Sequence, residues 1–146
     1  MLTARRTRTV AAPPEQLWEV VSDPHHLPRW WPRVTRVEDV EAGAFTEVMR
    51  TERGKLVRAD FQLVEVDPRA HRLRWEQRLE GTPFARVLSA AETELTLEPA
   101  GQGTNVSIEL RQTLNGFLAR IGSFMVRRAA VATVEEALAN LERIVG

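Results

Sequence analysis

The chain has 146 residues, enough for one domain whose core buries roughly 68–70% of the unfolded surface without extra staples. It contains no cysteine, which excludes disulfides and thiolate metal sites. Twenty basic and twenty acidic side chains give a formal charge of zero, against the basic excess that a nucleic-acid partner requires.

Residues 1–6 run straight into charged sequence, and no run of 18 apolar residues follows. Neither a secretory leader nor stable membrane insertion is expected, and the cytoplasm is the expected location. Thr7, Thr9 and Val10 mark a strand within residues 1–12. Pro13, Pro14 and Glu15 then open a helix, with proline in the first turn and an acid at the positive end of the dipole. Leu17, Val20 and Val21 supply its apolar face. Ser22, Asp23 and Pro24 stop that helix and cap a second one, which Pro28 and Pro32 hold to about two turns, with Trp30 and Trp31 at its end.

From about 33 to 113 the period changes to two. Strands are placed at 33–41 and 44–52, followed by clear alternations at Val57, Ala59, Phe61, Leu63, at Leu73, Trp75, Gln77, Leu79 and at Val106, Ile108, Leu110, Gln112. One apolar and one charged face per strand means antiparallel pairing with one wet side. Gly54, Asp67-Pro68, Gly81-Thr82-Pro83 and Gly101-Gln102-Gly103 supply the turns. A helix over 117–145, N-capped by Asn115, closes the chain and spans roughly 43 Å. Its stripe is Phe117, Ile121, Phe124, Arg128, Val131, Val134, Leu138, Leu141 and Val145. This order describes one α+β domain over residues 1–146.

A sheet of six or seven strands curls, whereas a helix is nearly straight, so the two surfaces part towards one end. Phe61, Trp75, Phe124 and Met125 are the expected walls of the resulting gap. Gln77, Gln112 and Arg128 fall on otherwise apolar faces, where an unpaired polar group costs on the order of 1–3 kcal/mol, and each therefore needs a partner or a ligand. Arg128 suits a ligand carboxylate or carbonyl.

Other candidates carry less. His25 and His26 point about 100° apart on a helix with no third ligand nearby, so no metal is expected, and they read as capping groups. His71 reads as a solvated turn residue. Glu92 and Glu94 share one strand and face outward. Gly101-Gln102-Gly103 lacks the third glycine and the helix of a dinucleotide loop. Ser89, Ser107 and Ser123 have no histidine placed to activate them.

The segment from Val10 to Val21, then Ser22-Asp23-Pro24 and Trp30-Trp31-Pro32, resembles the START-like (SRPBCC) superfamily, nearest its polyketide cyclase/dehydrase and lipid-transport group. Val64-Glu65-Val66-Asp67-Pro68, Leu73-Arg74-Trp75 and the residues from Gly101 to Val106 carry the same resemblance. It implies a helix-grip fold, a seven-stranded antiparallel sheet wrapped around a long C-terminal helix with two short helices between strands 1 and 2. It also implies a hydrophobic tunnel, with Trp30 and Trp31 at its mouth.

Members bind lipids, sterols, polyketides, quinones or hormones, so fold does not settle function. Family cyclases resemble one another in an arginine on a mid-sheet strand, but Arg58 is out of phase with the inward residues here, and the chain has no tyrosine. The expected function is binding of a small hydrophobic ligand (lipid, polyketide or isoprenoid-like) without a cofactor, by a monomer or homodimer. The alternatives are a polyketide aromatase/cyclase or dehydratase, with Arg128, Gln77 and Gln112 orienting the substrate, and a protein-interaction module.

Overall fold

The computed structural model describes residues 1–116, 119 and 122–145. In chain order these form β1 (Leu2–Val10), α1 (Pro14–Val21), a 3₁₀ turn (Pro24–His26) running into α2 (Leu27–Trp30), then β2 (Val34–Glu41) and β3 (Ala44–Arg50). There follow β4 (Leu56–Asp67), β5 (Arg72–Arg78), β6 (Leu88–Ala100), β7 (Gly103–Leu114) and α3 (Ser123–Val145). The strands make one seven-stranded sheet in the order β1-β7-β6-β5-β4-β3-β2, and every neighbouring pair is antiparallel. Strands β2 to β7 are a meander, and β1 adds to the far edge beside β7. Bulges in the β2–β3, β4–β5 and β6–β7 pairs increase the local twist, so the sheet curls around α3. This is the helix-grip arrangement.

The local chemistry matches the elements. Pro14 occupies the first turn of α1, where a missing N–H costs nothing, and Asp23 accepts a hydrogen bond from the His25 backbone N–H at the start of the 3₁₀ turn. On the outer face of the sheet, charges alternate from strand to strand. Arg74 donates to Glu92 (2.9 Å), while Arg111 donates to Glu92 (2.8 Å), Glu94 (3.0 Å) and Glu109. The inner face is apolar, with Leu73, Leu95, Val106 and Ile108 buried against α1 and α3.

One sequence expectation changes at the C-terminus, and another falls outside the described residues. Phe117 and Ile121, the first members of the expected stripe, lie outside the described residues. Within α3 the inward face is Ala130, Val134, Ala137, Leu138 and Leu141, whereas Phe124 and Met125 are 73% and 66% exposed and Arg128 is also exposed. The reason is helix phase: the face that approaches the sheet uses alanines, and a stripe drawn through the large side chains runs off to one side in the first turns. No helix among the described residues is long and apolar enough to cross a membrane.

One glycine is fixed by contact rather than by φ. A Cβ at Gly103 would stand 2.4 Å from the Val10 carbonyl oxygen, a backbone atom that cannot swing aside as a flexible side chain could. Gly103→Ala is therefore expected to lower stability by about 1–3 kcal/mol in urea unfolding, with β1 pushed off β7. A loss below about 0.5 kcal/mol would mean that the β1–β7 edge yields freely.

Candidate functional site

The C-terminal half of α3 is sealed to the fold, with Val134, Leu138 and Leu141 at most 2% exposed. Its N-terminal half presents Val126, Ala129, Ala130 and Thr133 towards the sheet, side chains too short to reach the opposite wall. A hollow of about 260 Å³ is left between them and strands β3 to β7. Phe61, Trp75, Met49 and Leu110 supply the apolar lining from the sheet, and Trp31 lines it from the end of α2. Trp31 meets Trp75 edge-on at 5.7 Å between ring centroids, and Trp30 meets both edge-on as well, at 5.5 Å from Trp31 and 6.5 Å from Trp75. Asn140 of α3 donates to the Trp30 carbonyl (3.0 Å), which pins this aromatic corner to the helix.

Polar groups enter the hollow at a few points. Gln77 lies beside Phe61 in the β4–β5 register, and Gln112 lies opposite Ala91 in the β6–β7 register. Thr93 lines it from β6 and Thr133 from α3. The fifth is Glu47 of β3, flanked by Val37 and Ala59 on the adjacent strands and only 1% exposed. Burial pushes its carboxyl up to about 8, because the charged form loses its hydration and gains no cation in return. Its Oε2 has no hydrogen-bond partner, nor do Gln112 Oε1 and Trp30 Nε1.

Of the residues singled out in the sequence, Trp31, Phe61, Trp75, Gln77 and Gln112 line the hollow. Trp30 is fully buried behind it. Phe124, Met125 and Arg128 are not part of it, and Phe124 and Arg128 flank a shallow surface groove with Arg127 and Val131 instead. Arg58 points outward to Glu38.

The histidines serve local structure: the His25 ring pairs with Asp23 (2.9 Å) and the His26 ring with the Val20 carbonyl (3.1 Å). His71 is half-buried, its ring 5.6 Å from that of Trp18, which corrects its reading as a solvated turn residue. Glu47 is absent from the sequence expectations. Its signal was present in the alternation Phe45, Glu47, Met49, an acid on the inward phase of a strand.

Met49 also borders a second, open groove of about 540 Å³, which Arg33, Arg50, Arg53, Val57 and Phe84 line on the outside. It is thus the side chain that stands between the inner hollow and this outer surface.

The model of the polyketide cyclase/dehydrase and lipid-transport family matches residues 1–146. Among solved structures, a protein from Thermus thermophilus is 25% identical, with a TM-score of 0.78 over 98% of this chain and 96% of that one. A START superfamily protein from Mycobacterium smegmatis is 16% identical, with a TM-score of 0.80 over 99% of this chain and 97% of its own. The di-domain ARO/CYC StfQ of the steffimycin biosynthetic pathway is 13% identical, with a TM-score of 0.80, and this chain covers 99% of itself and 50% of that one. The last two likenesses are of fold. No curated protein matches the sequence.

The raised Glu47 value has a stability consequence. In the unfolded chain this group ionises near its ordinary 4.5, whereas in the fold it stays neutral up to about 8. Stability is fully present below the lower value, is lost as pH rises between the two, and levels off above the higher. Relative to Glu47→Gln, the wild-type unfolding free energy is expected to fall by about 2–5 kcal/mol between pH 5 and pH 8. Parallel curves for the two proteins would show that Glu47 is ionised in the fold.

Proposed function

This chain belongs to the polyketide cyclase/dehydrase and lipid-transport family, and from that footing we propose that it works as one START-like domain that binds a small hydrophobic molecule between its sheet and its C-terminal helix. The observation that carries this is the hollow of about 260 Å³ with aromatic walls and few polar groups. That combination suits an apolar ligand oriented by a small number of hydrogen bonds. A volume of 260 Å³ equals roughly nine water-sized groups. It favours a molecule of one or two rings over a long acyl chain held wholly inside, and a longer polyketide or isoprenoid would extend past Met49 into the outer groove.

The alternative is an enzyme, a cyclase or dehydratase of a polyketide-like substrate. What favours it is Glu47, a carboxylic acid withdrawn from water and held neutral near neutral pH, and so able to give or take a proton there. Arg128 drops out of that mechanism because it stands on the exposed face of α3. Gln77 and Gln112 then hold the substrate. Incubation with a minimal polyketide synthase separates the two: an unchanged product profile argues for the carrier, and a shifted one for the enzyme.

Filling the hollow tests the binding itself. Ala130 is buried and lines the hollow from α3, so Ala130→Phe would occupy it. In native mass spectrometry against a panel of lipids, isoprenoids and aromatic polyketides, the wild type is expected to retain at least one ligand. The variant is expected to lose it while keeping its circular dichroism. No ligand on the wild type, or undiminished binding to the variant, would count against a binding role.

A further inference from the structure

The hollow carries a more specific message in its polar atoms. Two atoms of residues that line it, Glu47 Oε2 on β3 and Gln112 Oε1 on β7, are sealed from bulk water and have no hydrogen-bond partner within the protein. An unpaired buried polar atom is costly, and native structures hold few of them. The two differ in kind. A neutral carboxylic acid is an O–H donor, while an amide oxygen is an acceptor.

We infer that the molecule bound here is neutral and one or two rings in size, and carries both a carbonyl-type acceptor for Glu47 and a hydroxyl or N–H donor for Gln112. This rests on the ligand-binding role proposed above and narrows it from hydrophobic molecules at large to hydroxylated or amidic carbonyl compounds. Carboxylates are excluded, because no cation among the described residues lines the hollow to meet one. Purely hydrocarbon ligands are disfavoured, since they would leave both polar atoms unpaired.

Release follows from the same pairing. Once ionised, Glu47 has no proton to donate, and its charge repels a carbonyl oxygen. The neighbouring groups do not blunt this change. Val37 and Ala59 flank Glu47 on the adjacent strands, and Ala130 and Thr133 face the hollow from α3. Glu92 is the only other ionisable residue among the described lining, and its carboxylate is held by Arg74 and Arg111 on the outer face, which keep it below its ordinary range. Between pH 6 and pH 9, therefore, Glu47 alone among those residues changes charge, near 8.

Four uncharged probes that do not titrate in this range test the inference: 4-(hydroxymethyl)acetophenone with both groups, 4-ethylacetophenone with the carbonyl alone, 4-ethylbenzyl alcohol with the hydroxyl alone, and 1,4-diethylbenzene with neither. Affinity is measured by calorimetry at pH 6 and pH 9, and occupancy is followed at the indole N–H signals of Trp31 and Trp75. At pH 6 the bifunctional probe is expected to bind about tenfold tighter than either single-function probe. At pH 9 the advantage conferred by the carbonyl is expected to vanish in the wild type. Glu47→Gln, whose amide donates at any pH, is expected to keep that advantage at both values, and Glu47→Leu to lack it at both.

Equal affinities for all four probes would overturn the inference while leaving hydrophobic binding intact. So would a pH dependence that persists unchanged in Glu47→Gln. Absence of binding by every probe, including diethylbenzene, would instead remove the ligand-binding role on which the inference rests.

Discussion

A straight helix can follow a strongly curled sheet along only part of its length, and here the contact is spent at the C-terminal end of α3. Val134, Leu138 and Leu141 lock that end against the sheet, α1 and α2, with Leu17, Leu95 and Val106 fully buried in the same core. Because the helix is rigid, this anchoring sets the height of its other half above β3 to β7. Alanines and a threonine then decide what happens there, since they neither fill the space nor close it. The hollow follows from where the helix is fastened.

The outer face of the sheet keeps the wall in place. Glu92, Glu94 and Glu109 meet Arg74 and Arg111 across β5, β6 and β7, and these charges are partly shielded, with Arg111 side-chain exposure at 21% and Glu92 at 22%. Such a shielded network resists shear between strands better than isolated surface pairs, which contribute little. Inside, the only acid fully withdrawn from water among the described residues is Glu47. It sits on β3 between Val37 and Ala59, with no arginine to neutralise it, so the protein tolerates a neutral acid in a greasy hollow. Polar groups retained at such a cost are a recurrent mark of functional sites.

The element order was legible in the sequence because it is written in turns and periodicity. The strands at 33–41 and 44–52 appear as Val34–Glu41 and Ala44–Arg50, and the proline-bounded short helices fall between β1 and β2 as the chain's punctuation implies. Five of the residues picked as site candidates, Trp31, Phe61, Trp75, Gln77 and Gln112, are carried to one hollow by strand phase and the end of α2. The helix was harder to read. Large side chains dominate a hydrophobic stripe read from sequence, but close packing prefers small ones, so Phe124, Met125 and Arg128 stand outside the face that meets the sheet. Glu47 is hard to read from the sequence because β3 carries a second buried pair, Thr46 and Val48, on its outer face, which blurs the alternation that marks an inward acid.

The charge state of that acid is the point on which the account turns, and it can be observed directly. With the glutamates labelled at the side-chain carboxyl carbon, and Glu47→Gln used to assign its resonance, a carbon NMR titration of the ligand-free protein reports the ionisation of Glu47 alone. A midpoint near 8 is predicted, well above the ordinary 4.5. A midpoint between about 4 and 5 would mean that Glu47 is already charged at neutral pH, and the hollow would then have no neutral acid to offer a ligand.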